Sequence, residues 1–132
     1  MADLLLDIVN YWIAESLVTA DRTDAFRDVM PDSPDNCVAL IEYAGEVAFM
    51  ANVANRSVQV RVRDEDHDTG KSKIVALYNS VYSPETDVRI IDFTAGRWGI
   101  VKARNYPYML NRDESERYIF VFNMGIVTPG DD

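Results

Sequence analysis

The chain has one cysteine, Cys37, one histidine, His67, and no apolar run near the roughly 20 residues that a bilayer-spanning helix needs. A single cysteine excludes an internal disulfide and makes a reducing compartment the natural setting. The first residues lack the basic cluster and small-residue cleavage site of a secretory signal, so assembly in the cytoplasm of the producing cell is expected, with no membrane partner. Bases are scarce too: 13 Lys and Arg stand against 22 Asp and Glu, a net charge of −9. Gripping a duplex by its phosphates takes an excess of cations on at least one face, which excludes tight sequence-specific DNA binding. An acidic surface does suit a protein that only surrounds a moving duplex and repels it. Also missing are a phosphate-cradling glycine loop and the GxSxG, HExxH, CxxC and DxD signatures, so no catalytic or cofactor-binding residue is assigned.

What is present is a globular composition, 48% hydrophobic and 27% charged, over 132 residues, which reads as a single domain, 1–132. The clearest stretch runs from Arg56 to Tyr82. Val58, Val60 and Val62 alternate with Gln59, Arg61 and Arg63, the pattern of a half-wet strand. Ile74, Leu77, Tyr78, Val81 and Tyr82 then recur at helical spacing, predicting a central helix over about 67–82. Asp64, Glu65, Asp66 and Asp68 lie where carboxylates cap a helix start and offset its dipole, and Ser83 and Pro84 stop it. Gly70 stands early in that helix at a cost of up to about 1 kcal/mol against alanine.

Leu5, Ile8, Val9, Trp12, Ile13 and Leu17 line one side of an N-terminal helix over about 1–20, with Asp3, Asp7, Asn10 and Glu15 off that stripe. Residues 20–36 read as a polar connection anchored by Phe26, Val29 and Met30, and Cys37 to Tyr43 as a short buried strand. Glu46 to Asn55 holds no period and reads as a loop or edge strand. Val88 to Thr94 and Trp98 to Arg104 form a hairpin with Gly96 at its turn. Asn105 to Leu110 continues extended with an edge or kink at Pro107, and Asn111 to Arg117 is a charged loop. Tyr118 to Val127 is the last strand, followed by a tail over 128–132. The fold class is α+β: a mixed, mainly antiparallel sheet of five or six strands within 37–127, with two main helices packed on one face.

The last strand is apolar on both sides, with Tyr118, Phe120, Phe122, Met124 and Ile126 on one and Ile119, Val121 and Val127 on the other. Such a strand needs cover on both sheet faces, and two helices cover only one. At about 25 cal/mol per Å² of apolar area, leaving those side chains wet forfeits several kcal/mol. A homo-oligomer is therefore expected, with burial inside one subunit as the alternative. Candidate contacts to another subunit or partner are Tyr118, Phe120, Phe122, Met124, Tyr106, Tyr108, Phe49 and Met50.

Asp64, Glu65, Asp66, His67 and Asp68 form the one constellation able to hold a hard cation. They lack the central glycine and terminal glutamate of an EF-hand, and an acidic helix start accounts for them, so no metal is assigned. A small metal-dependent enzyme using Asp64, Asp66 and Asp68 is kept as an alternative of another class. Cys37, at the start of an apolar strand, reads as an inert buried thiol, and Trp12 and Trp98 as core or interface anchors.

QVRVRDEDHD at 59–68, ALYN at 76–79, WGIVKARNYPYML at 98–110 and DESERYIFVFNMGIVT at 113–128 together resemble the minor capsid proteins of tailed bacteriophages, in particular tail-terminator and head-tail joining proteins. The likeness runs from about Leu40 to Thr128 and is most specific at the RVRD step and the aromatic R-Y-x-F-x-F strand. It implies a structural virion protein without catalysis or cofactor. Subunits would form a ring, commonly a hexamer, that caps the tail tube, meets the head connector or stopper protein and lets double-stranded DNA pass through its lumen. Residues 46–56 and 105–117, the longest irregular connections, would be the contacting surfaces. A head-side connector or stopper docking on the portal stack is the runner-up.

Overall fold

Asp3 begins the first helix, α1 (Leu4–Ala14), by accepting hydrogen bonds from the Leu5 and Leu6 amides at 3.0 and 3.3 Å. The computed structural model describes residues 3–44, 53–93 and 96–129. The helix ends some five residues earlier than the apolar spacing predicts, at Glu15, because Ser16 takes φ 60°, the left-handed region that breaks the helical ladder. Leu4, Leu5, Ile8, Val9 and Trp12 are its buried stripe. Asp7, expected on the wet side, is also buried and is held by Arg97 through two bonds of 2.8 and 2.5 Å. Trp12 Nε1 donates to Ser80 Oγ and Tyr11 Oη to the Ser80 carbonyl, both at 2.8 Å, tying α1 to the end of the second helix, α2 (His67–Val81).

Among the described residues seven strands form one sheet, in the order β1-β2-β3-β7-β5-β4 with β6 beside β7 as well. They are β1 (Ala25–Arg27), β2 (Cys37–Tyr43), β3 (Val53–Asp64), β4 (Arg89–Asp92), β5 (Trp98–Ala103), β6 (Tyr108–Arg112) and β7 (Tyr118–Pro129). Among these described strands only the β1–β2 pair is parallel. The fold is α+β, and both helices pack on one face in one core with Val38, Leu40, Val58, Val60, Val62, Phe120, Phe122, Met124 and Ile126. The strand beyond the expected five or six is β1, inside the stretch read as a polar connection. Other boundaries differ too: Val53 to Asn55 belongs to the central strand β3, Asn111 and Arg112 belong to β6 where a charged loop was expected, and Thr128 and Pro129 continue β7 where a tail was expected. Most of 46–56, with Phe49 and Met50, lies outside the described residues, as do 130–132.

The final strand is the sheet's centre, paired with β3 along its whole length on one edge and with β5 and β6 end to end on the other. Its helix-side residues Phe120, Phe122 and Met124 are at most 2% exposed, within this one chain. The opposite face is also covered by the chain itself. Val121, fully buried, lies between its register partners Arg61 and Tyr108, and the Arg104 guanidinium spans Gly125 so closely that a Cβ there would sit 2.7 Å from Nη2. The expectation that this strand needs a second subunit for cover is therefore corrected: long amphipathic side chains serve as the lid.

Gly70 also has a packing reason. A Cβ on it would lie 2.9 Å from Phe120 Cε2 and 3.0 Å from Asp64 Cβ, so the first turn of α2 sits directly on the sheet. Helix propensity alone predicts that Gly70→Ala stabilises by about 1 kcal/mol. Overpacking reverses the sign, and a net loss of about 1–2 kcal/mol is expected in urea unfolding. A variant more stable than the parent would show that the ring moves aside freely.

Candidate functional site

Pro107, buried, turns the chain between β5 and β6, so that β6 continues along β7 as an outer ribbon. All five β6 residues are exposed, and no strand pairs with its outer edge among the described residues. Tyr106 is 61% exposed, Tyr108 48%, Met109 45% and Leu110 43%, a run of apolar surface beside an open row of backbone donors and acceptors. An uncovered apolar edge is the kind of surface that soluble proteins blunt with charge or proline, or reserve for a partner. A register shift between Met109 and Asn111 bends the ribbon.

The ribbon is mounted rigidly at both ends. Tyr106 meets Tyr78 edge-on at 5.2 Å, Tyr78 stacks on Tyr82 at 5.0 Å and meets Phe122 edge-on at 5.6 Å, so ring contacts lead from the surface into the core. Burial pushes the Tyr78 hydroxyl pKa up. Asn105 Oδ1 accepts from the Asn123 amide and side chain at 2.9 and 3.1 Å, filling the break between β5 and β6. At the far end Arg117, whose side chain is only 8% exposed, donates to Asp113 Oδ2 at 2.8 Å, Asp32 Oδ1 and Asp35 Oδ1 at 3.0 Å and the Asp32 carbonyl at 2.7 Å. Arg63, also buried, donates to the Pro34 and Asp35 carbonyls. Two buried arginines thus pin residues 32–35 and the turn of the 105–117 hairpin to the sheet end.

Burial pushes the Asp113 carboxyl up, but bonds from the Arg117 amide and guanidinium outweigh it and leave its pKa below the ordinary value. The Asp66 carboxyl is lowered by the Thr69 hydroxyl and then the Thr69 amide. A carboxyl lowered in the folded state binds its proton more readily once unfolded, so its contribution is present above about pH 4 and is lost as pH falls through the folded pKa. Denaturant midpoints measured from pH 6 to 2 are therefore expected to fall below about pH 4, with a shallower fall in Asp113→Asn. Parallel curves for the two proteins would remove Asp113 from the account.

Of the expected contact residues, Tyr106 and Tyr108 are presented to solvent, Tyr118 is half-buried beneath the Arg112 guanidinium, and Phe120, Phe122 and Met124 are core. Those last three side chains cannot reach a partner in this fold. Met109 and Leu110 were not singled out from the sequence; their exposure follows from β6 being an edge strand, which the pairing reveals. The acidic step is spent on structure. Asp64 is buried and accepts from the Asp66 amide, Asp66 caps α2 through the Thr69 amide and hydroxyl, and His67 lies edge-on to Tyr118 and Phe120. Among the described residues no three His, Cys, Asp or Glu are grouped to hold a metal ion. Burial raises the pKa of the Cys37 thiol, and no described helix is long and apolar enough to cross a membrane.

A family model described as bacteriophage tail terminator protein matches residues 13–128. No curated protein matches the chain.

Proposed function

The chain belongs to the bacteriophage tail terminator family, structural components of the virion tail, and from that premise we propose that it closes the tail tube as a ring, commonly a hexamer, of identical subunits. The ring seats on the last turn of the tube, halts its growth, offers its other face to the head connector or stopper protein, and leaves a lumen through which double-stranded DNA slides without specific binding. Assembly takes place in the host cytoplasm. The mechanism is geometric and needs no catalysis: one face copies the symmetry of the tube end, while the other no longer resembles a tube ring.

The observation that carries this reading is the exposed ribbon of Tyr106 and β6. It is an open strand edge with apolar side chains, held stiff by the Tyr78 stack and the Arg117 clamp, and so it is preorganised to meet the rim of the tube. The net charge of −9 suits a lumen that repels phosphates. In vitro polymerisation of tail-tube protein tests it. Adding the purified chain is expected to stop elongation and shorten the tubes in proportion to its concentration; a tube-length distribution unchanged at any ratio overturns the reading.

A further inference from the structure

On the sheet face away from the helices, the side chains that cover β7 leave charged groups at the surface. Arg61 and Arg104 both lie there, and neither has a carboxylate partner among the described residues. Arg61 Nε donates to Gln59 Oε1 at 2.6 Å, and Gln59 Nε2 to Asn123 Oδ1 at 3.2 Å. Arg104 Nη1 donates to Ser57 Oγ at 2.8 Å and to Tyr43 Oη at 3.2 Å. Gln59, which accepts from Arg61, and Tyr43, which accepts from Arg104, line a shallow hollow of about 400 Å³ together with Ile41 and Asn123. Arginine and tyrosine around a small hollow are the residue types that dominate protein interfaces, and both arginines are already oriented by neutral partners.

The same chain has an acidic pole. Asp32, Glu65, Asp68, Glu114 and Glu116 are exposed at the end of the sheet where Arg117 gathers residues 32–35 and 113–117, and the Glu65 amide bonds Asn36 there. We infer that the open sheet face of one subunit receives the acidic pole of a second copy, with carboxylates on Arg61 and Arg104. The contact joins two different patches, so repetition is head-to-tail and closes a ring when the rotation permits. Two guanidinium groups without carboxylate partners are too few to hold a duplex against a net charge of −9, whereas two ion pairs beside a small hollow suit a protein surface. The inference rests on the ring reading above and adds which surfaces meet.

Charge reversal tests it by sedimentation velocity. The wild-type chain is expected to assemble, and the Arg61→Glu, Arg104→Glu double variant to remain monomeric at concentrations about a hundredfold above the wild-type midpoint. A Glu65→Lys, Glu114→Lys, Glu116→Lys triple variant is expected to behave likewise. Mixing the two restores both kinds of contact and with them the assembly, which also shows that both variants are folded. A wild-type assembly that the double variant leaves intact overturns the docking surface while the ring stands. Loss of assembly without rescue on mixing overturns the acidic pole as the occupant, as does loss of salt-dependent duplex DNA binding in the double variant with its assembly intact. A wild-type chain that stays monomeric alone and with tubes overturns the ring reading itself.

Discussion

Phe122→Ala is expected to lower the unfolding free energy by about 3–5 kcal/mol, a large share of the 5–15 kcal/mol that a small domain commands. Phe122 is fully buried at the middle of β7, level with Val60 on β3 and edge-on to Tyr78 of α2, so its removal leaves a void where sheet and helix meet. Backbone pairing on both sides of the site opposes collapse into that void, which places the expected cost in the upper part of the range. Urea unfolding of dilute protein reads the effect. Had this ring served as an intersubunit contact, truncation would weaken assembly and spare the monomer; a change below about 1 kcal/mol would mean that the ring is not core.

The converse result is expected on the ribbon. Tyr108→Asp, Met109→Asp and Leu110→Asp together are expected to abolish arrest of tube growth, because three carboxylates on an edge strand replace apolar contacts with desolvation cost and repulsion at the same place. All three positions are exposed, but Tyr108 also flanks buried Val121, so the stability of the isolated chain is expected to fall by about 1–2 kcal/mol, well short of unfolding it. Tube lengths and the denaturant midpoint, measured on the same preparation, separate the two effects. Unaltered arrest by a folded triple variant would move the tube contact away from β6.

The pair of variants also marks what periodicity conveys and what it does not. Cys37–Tyr43 and His67–Val81 were legible within a residue, since the first is a short apolar run bounded by turn residues and the second a helical stripe with an acidic cap and a proline stop. The apolar alternation of Tyr118 to Val127 named the right strand and the wrong reason for its cover. Counting apolar residues assigns Arg61, Arg63, Arg104 and Arg117 to solvent, yet two of them are buried ion-pair or carbonyl donors, one stands beside Val121 and one bridges Gly125. Apart from Asp113, four residues from Arg117, the partners of the two buried arginines lie 28 to 85 residues away in sequence, so no local pattern signals them. Val53 to Asn55 was opaque for a related reason: its strand character comes from pairing with Val127, Thr128 and Pro129, not from its own alternation. The β6 ribbon was half visible, as an extended stretch with a proline kink. That its outer edge stays unpaired is a property of the sheet order.

The family makes the chain a structural component of the virion tail, and the proposed role puts it at the head-proximal end of the tube. Electron microscopy of gold-labelled chain on isolated tails and on tailless heads tests that place most directly. The account predicts one ring of label at the head-proximal end of every tail, and none on heads that have not yet met a tail. Label on the portal vertex of tailless heads, with bare tail ends, would contradict it and assign the chain to the head side of the joint.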